Sequence, residues 1–350
     1  MRVAVTGAGG RLGGALLRAL GEAPFTGASG PIAWSRPEYD LDDPTAAGRL
    51  VARDRPEVVL HAAAWTDVDG CARDPDLAMR RNATAVDELA RACAERGADF
   101  VFVSTNEVFD GERTDGRGYG PGDPTAPLNP YGATKLAGET AARAAYRAVG
   151  GLGADATDGP VAPSGDDAAL PDNATALPGG RIDAPQLAIV RTSWLFGPPG
   201  ADFPARMLDA AERARAEGGP LRVVVDEIGS PTYAPDLADA IVELLGAGVF
   251  AGTHHIVGGG TVSRAGWASE TLALAGSDVA VEGIASSEWL RASRPPRWAV
   301  LAPTPLPGGE PLRDWRLAMA DEMPTLLRAR AAAWSRVQAR AVARARAGAR

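Results

Sequence analysis

The stretch MRVAVTGAGGRLGG, residues 1–14, decides the fold. A short apolar run stops at glycine, and Leu12, Leu16, Leu17 and Leu20 then recur at helical spacing. Gly7, Gly10 and Gly13 stand three residues apart between the two patterns. At a strand-to-helix junction the first glycine permits a tight turn. The second lets the backbone approach a pyrophosphate, and the third lets the helix pack closely on the sheet. The free amides and dipole at the start of the helix favour phosphate groups. A glycine trio alone is a weak signal. Its weight here comes from its place after a first strand, with alternating strands and helices to follow.

Those strands are PIAW (31–34), PEVVLHAAA (56–64), DFVFVST (99–105), QLAIVRTSW (186–194) and LRVVV (221–225). Helical patterns lie between them, over roughly 75–97 and through KLAGETAARAAYRA after Tyr131. The alternation predicts an α/β chain, a Rossmann-type doubly wound parallel sheet with helices on both faces. Residues 1–149 and about 184–250 are read as the NAD(P)-binding domain. Residues 150–183, rich in Gly, Ala, Asp and Pro without periodicity, read as a flexible surface insertion. Residues 326–350 are arginine- and alanine-rich, without an acid after Glu322, and predict a basic helical tail whose plainest role is a solvated helix.

Bulk properties exclude several function classes. The chain has 350 residues, 45% hydrophobic and 23% charged, within the range of globular proteins. A formal net charge of −8 argues against a general nucleic-acid-binding surface. No apolar run approaches the ~20 residues that span a bilayer. The N-terminus lacks the pattern of a signal peptide, so a cytoplasmic location without a membrane partner is expected. Cys71 and Cys93 give no disulfide framework, and His61, His254 and His255 have no zinc-type spacing, so no metal site is expected.

The end of the second strand bears on the cofactor. An acid there would bind the ribose 2′-hydroxyl of NAD. Ser35 and Arg36 stand there instead, and Arg11 lies in the glycine turn, so two guanidinium groups near the ribose would suit a 2′-phosphate. NADPH is therefore expected, with Asp40 keeping NADH possible. Ala62, Ala63 and Ala64 end the third strand, where small side chains let a cofactor lie against the backbone or let a helix pack tightly. Thr66 and Asn82 are lesser candidates for polar contacts there.

NPYGATK (129–135) sets Tyr131 and Lys135 four residues apart, on one helical face. They are either a packed aromatic and a surface charge, or a proton-donating pair in which the cation lowers a phenol that ordinarily titrates near ~10. Ser104 and Thr105 end the fourth strand and tend to face opposite ways.

Taken with the glycine turn, STNEVFDG (104–111) and YGATK resemble an extended short-chain dehydrogenase/reductase. HAAAWTDVDGCARDPDLAMRRNATAVDELA (61–90), RTSWLFG (191–197), DEIGSPTYAPDLADAI (226–241), RPPRW (294–298) and PLRDWRLAM (311–319) are similar to segments of dTDP-4-dehydrorhamnose reductases. The resemblance runs from residue 1 to about 325, without the insertion, and implies a smaller C-terminal substrate-binding part, the substrate lobe, over about 251–325 with parts of 194–220. It implies NADPH-dependent reduction of dTDP-4-dehydro-6-deoxy-L-mannose to dTDP-L-rhamnose. Tyr131 would be the proton donor, Lys135 would bind the nicotinamide ribose, and Thr105 would hold the substrate oxygen. It further implies Leu12 and Leu41 beside the cofactor. Val68, Asn106, Glu107, Trp194 as a pocket wall, and Arg294 on the diphosphate are implied beside the nucleotide-sugar.

Asn106 and Glu107 replace an acid and a tyrosine of the family's STDYVFDG, a departure that bears on the sugar rather than on the reaction type. Ala15 replaces a glutamate that in some members binds magnesium between subunits, so a monomer or a homodimer without that metal is expected. Other readings are a reductase or epimerase of another nucleotide-sugar. A further one is a non-catalytic NADP-binding subunit resembling that of methionine adenosyltransferase.

Overall fold

The computed structural model describes residues 1–153, 184–199 and 202–348. The insertion expected over 150–183 lies, after Gly153, outside the described residues. In chain order the first part forms β1 (Val3–Thr6), α1 (Arg11–Glu22), β2 (Ile32–Trp34), α2 (Ala46–Asp54), β3 (Val58–His61), α3 (Val68–Arg73), α4 (Pro75–Met79), α5 (Ala85–Ala94), β4 (Asp99–Thr105), α6 (Pro130–Arg147) and β5 (Leu187–Thr192). There follow β6 (Leu195–Phe196), α7 (Phe203–Glu217), β7 (Leu221–Val224), β8 (Ile228–Gly229), β9 (Thr232–Tyr233), α8 (Ala234–Gly246), β10 (Gly252–His255), β11 (Val262–Ser263), α9 (Arg264–Leu274), β12 (Val281–Ile284) and α10 (Trp315–Gly348).

A parallel 6-stranded sheet has the order β10-β5-β4-β3-β1-β2. Its central strands are apolar almost throughout because both faces are covered. Leu16 and Leu20 of α1 and Leu237 and Ile241 of α8 pack with Val58, Leu60 and Val190 on one face. Leu50 of α2, Val86 and Leu89 of α5 and Tyr146 of α6 pack with Phe100 and Phe102 on the other. This is the doubly wound Rossmann-type fold expected from the alternation. The chain reverses direction across the sheet between β1 and β3, and the crevice at their carboxyl ends is where such folds bind ligands.

Three expectations change. The run LRVVV does form β7, but β7 pairs with β12 in a separate sheet. The last strand of the large sheet is instead β10, whose sequence is GTHH, so the sheet extends past residue 250. Its histidines are buried because His254 and His255 engage the Phe250 and Tyr119 carbonyls at 2.8 and 2.9 Å. The helical stretch over 75–97 is interrupted at Arg80–Thr84 by a wider π-helical turn.

A second core lies beyond the sheet. Trp267 and Leu272 of α9, Leu208 of α7, and Trp315 and Met319 of α10 form it with Phe196. No helix among the described residues is long and apolar enough to cross a membrane.

Candidate active site

Three adjoining cavities follow the carboxyl edge of the sheet toward the second core. The first, about 520 Å³, is lined by Gly7, Gly9, Gly10, Ser35, Arg36, Asp40, Leu41, the Ala62–Ala64 run and Arg81. Gly7 has φ +64°, and a β-carbon on it would lie 2.9 Å from the Ala63 backbone, so β1 and β3 meet here as closely as glycine allows. A β-carbon on Gly13 would stand 2.1 Å from the Gly7 carbonyl, which is the close helix packing expected of the third glycine. Gly9 is open, and Gly10, whose amide donates to the Gly7 carbonyl at 2.8 Å, precedes α1 without a side-chain cap. The amides that a diphosphate needs are left to a ligand.

Ser35 and Arg36 line this cavity, but Arg11 does not. Arg11 lies in the second cavity, where Nη1 donates to Asp202 at 3.5 Å. The two arginines expected to share one ribose are thus apart, because the first turn of α1 carries Arg11 toward α7. Arg81 lines the first cavity instead, paired with Asp42. Asn82 lines neither cavity. Buried, it accepts from the Trp65 amide at 2.8 Å and donates to the Trp65 carbonyl at 3.0 Å and to Thr134 at 3.3 Å. Its work is to fix the loop after β3.

The second cavity, about 480 Å³, brings together Leu12, Ala62, Ala64, Thr66, Val68, Thr105, Asn106, Glu107, Tyr131, Lys135 and Trp194. Asn129 caps α6 by accepting from the Gly132 amide at 2.9 Å, which sets Tyr131 in the first turn. The Thr105 hydroxyl shares this cavity with the Tyr131 phenol, donating to Asn106 Oδ1 at 3.3 Å and accepting from the Glu107 amide at 3.2 Å. Ser104 is engaged elsewhere, donating to Glu139 Oε1 at 2.5 Å. Glu139 also receives Arg191 Nε at 2.9 Å and Nη2 at 2.7 Å in a buried ion pair.

Burial pulls the Lys135 ammonium down to about 7, with Glu139 opposing. Its Nζ donates to the Val103 carbonyl at 2.8 Å and lies 4.0 Å from the centre of the Phe102 ring. Burial pushes the Tyr131 phenol up, and the Glu107 carboxylate pushes the same way, while the Thr105 hydroxyl opposes. The sequence reading had Lys135 lowering Tyr131; here the lysine is turned to Val103, and the phenol is held protonated.

The third cavity, about 590 Å³, is rich in guanidinium groups: Arg206, Arg222, Arg264 and Arg291 line it, with Val68, Glu107, Glu227 and Trp289. Arg264 lies over Trp194 at 3.5 Å, and Trp194 stacks on Trp267. Burial pulls Arg264 down to about 10, against the carboxylates of Glu227 and Glu107. Arg206 has no ion-pair partner among the described residues.

Arg294 is not among these arginines. Its carbonyl accepts from Asn129 at 3.1 Å, and its side chain lines a separate cavity with Asp110, Arg297 and Trp298. Arg291 faces the site because Asp69 accepts from both Arg291 Nε, at 3.1 Å, and the Ser293 amide, at 2.9 Å. The segment is irregular, so no periodicity in the sequence signalled which arginine turns inward. Arg206 and Arg264 fall in the first turns of α7 and α9, a signal that the helical patterns alone leave open.

The model of the RmlD substrate binding domain family matches residues 1–149 and 181–327. A dTDP-4-dehydrorhamnose reductase of Mycobacterium tuberculosis (strain CDC 1551 / Oshkosh) is 35% identical over 325 residues, covering 91% of this chain and 91% of the relative. One from Streptomyces griseus is 34% identical over 330 residues, covering 92% and 93%. The solved structure of a dTDP-4-dehydrorhamnose reductase from Bacillus anthracis in complex with NADP is similar with a TM-score of 0.74 at 28% identity, covering 93% of this chain and 99% of that one. The resemblance read from the scattered motifs therefore holds along the chain, and with the family model matched on both sides of the insertion, this protein belongs to the RmlD substrate binding domain family.

Proposed function

We propose that this protein is an NADPH-dependent oxidoreductase that reduces the 4-keto group of a nucleotide-sugar, dTDP-4-dehydro-6-deoxy-L-mannose, to dTDP-L-rhamnose. The observation that carries this reading is the meeting of Thr105, Tyr131 and Lys135 on one cavity between an open glycine turn and a group of arginines. The names of its relatives, and the NADP in the Bacillus anthracis structure, point the same way.

The residues present fit the cofactor. The open backbone at Gly9 beside the start of α1 suits the diphosphate, Ser35 and Arg36 the 2′-phosphate, and the Ala62–Ala64 run a flat body lying along the sheet edge. NADPH, when bound, supplies the hydride.

Tyr131 then has one task, to give its phenolic proton to the oxygen that becomes the new hydroxyl. A phenol held protonated by burial and by Glu107 is in the correct state for a donor. Thr105, on the same cavity wall, holds the carbonyl oxygen within reach of that proton. Lys135 stands one helical turn away, its Nζ donating to the Val103 carbonyl at 2.8 Å, and its task is to hold the nicotinamide ribose. The arginines of the third cavity suit the diphosphate of the nucleotide-sugar, and Trp194 gives the pyranose a flat wall.

The test is to mix the purified protein with NADPH and enzymatically generated dTDP-4-dehydro-6-deoxy-L-mannose and follow the absorbance of reduced cofactor. Substrate-dependent loss of NADPH, with dTDP-rhamnose formed, is the expected result. Binding of NADPH without turnover would overturn the substrate assignment and direct the search to other keto-sugars, because Glu107 stands where the family has an aromatic ring.

A further inference from the structure

Glu107 lies on the short turn Asn106–Val108 that follows β4, and it lines both the second and the third cavities. It is thus at the junction between the proton donor and the arginines. One of its oxygens, Oε2, accepts from Asn129 Nδ2 at 2.7 Å. Asn129 is itself fixed, because its Oδ1 caps α6 and its Nδ2 also reaches the Arg294 carbonyl at 3.1 Å. The carboxyl plane is therefore held from one side. The other oxygen, Oε1, has no hydrogen-bond partner among the described residues.

The charged groups around it are otherwise occupied. Arg264, from α9, pairs with Glu227 at 3.6 Å. Arg291 pairs with Asp69 at 3.1 Å and with Glu227 at 3.9 Å. Both guanidinium groups favour the Glu107 carboxylate through space, Glu227 opposes it, and burial is the largest influence, raising it. Glu107 is only partly buried, so the free lone pair of Oε1 is open to a donor that a ligand brings into the cavities. A diphosphate offers only acceptors and like charge. A sugar hydroxyl offers a donor of the right kind.

We propose that Glu107 is a specificity-determining residue whose Oε1 accepts a hydrogen bond from a hydroxyl of the bound sugar, so that the site favours hydroxylated sugars over deoxygenated ones. The inference rests on the reading of this site as a nucleotide-sugar site. An acceptor of this kind discriminates more sharply than an apolar wall, because a deoxy-sugar leaves the carboxylate unpaired. An aromatic residue in its place would make no such demand.

The test is calorimetric and uses the full chain saturated with NADPH, titrated with dTDP and, separately, with dTDP-L-rhamnose. The key variant is Glu107→Gln. Its carbonyl can keep the Asn129 bond while its amide puts a donor where Oε1 was. The gain in affinity that the sugar adds over dTDP alone should fall by about tenfold in the variant. Binding of dTDP itself should be no weaker, since a negative charge near the arginines is removed. An unchanged gain would overturn the proposal. So would a parallel weakening of both ligands, which would make Glu107 a support of the whole site, and so would a wild type that binds dTDP and dTDP-L-rhamnose equally. A wild type that gains affinity from the sugar through Glu107, yet turns over no keto-sugar, would leave the inference standing and overturn the ketoreductase reading.

Discussion

Lys135 is charged at a cost. In the unfolded chain it titrates near ~10.4, and in the fold burial brings it to about 7. Between those values the unfolded chain holds a proton that the folded chain has released, so folding stability rises with pH across that window. Below about pH 7 the fold carries the full cost of the buried ammonium. In urea denaturation of the cofactor-free protein, the wild type should therefore gain on Lys135→Met as pH is raised from about 7 to about 10. Parallel changes in the two proteins would mean that the lysine is not desolvated. Tyr131 is the partner case. Tyr131→Phe keeps the ring that packs in the cavity and loses the proton, so kcat should fall by roughly 10²- to 10⁴-fold while NADPH affinity, read by fluorescence, is retained. Turnover equal to wild type would remove Tyr131 from the mechanism. At this scale the sequence was readable wherever backbone geometry forces the residue type. Gly7 and Gly13 are examples, since any side chain would strike the Ala63 backbone or the Gly7 carbonyl. It was unreadable where direction alone decides, as for Arg294, which points away, and Arg264, which lies over Trp194.

Helix α6 carries Tyr131, Lys135, Glu139 and Arg143 at successive four-residue steps, so one face holds the proton donor, a buried lysine and a buried acid. The acid is tied to β5 through Arg191 and to β4 through Ser104. Arg191→Met would leave Glu139 buried with Ser104, a more distant Arg143 and the through-space influence of Lys135, and should cost about 3–5 kcal/mol in chemical denaturation. Replacing both partners, Arg191→Met with Glu139→Leu, should recover most of that loss. A double variant no more stable than the single one would mean that the pair is not what holds the helix. Elements with long buried apolar runs, such as β4, were legible in the sequence to the residue. The strand β10 was not, because it buries two histidines, one engaging the Phe250 carbonyl just before the strand and the other the Tyr119 carbonyl of a distant loop. The break at Arg80–Thr84 was also hidden, since a π-helical turn keeps the composition of a helix.

Across the whole molecule, Asp69 is one of the polar ties that hold the C-terminal segment against the sheet layer. It reaches from α3 to Arg291 and Ser293 and so holds one wall of the third cavity. Asp69→Ala should raise KM for the nucleotide-sugar by about threefold to tenfold with little change in NADPH affinity. An unchanged KM in steady-state assays would mean that Arg291 keeps its place without this tie. The division between the two parts was legible only in outline, because residues 252–255 return to the large sheet after the chain has built part of the second core. The buried pair of Glu139 and Arg191 has a consequence at this scale as well. Any slip or rotation of α6 that misplaces Tyr131 also strands an unneutralised acid in the interior. Errors that would disable the protein are thus penalised as errors of folding, and a preparation of intact molecules should contain few that are well folded yet incompetent.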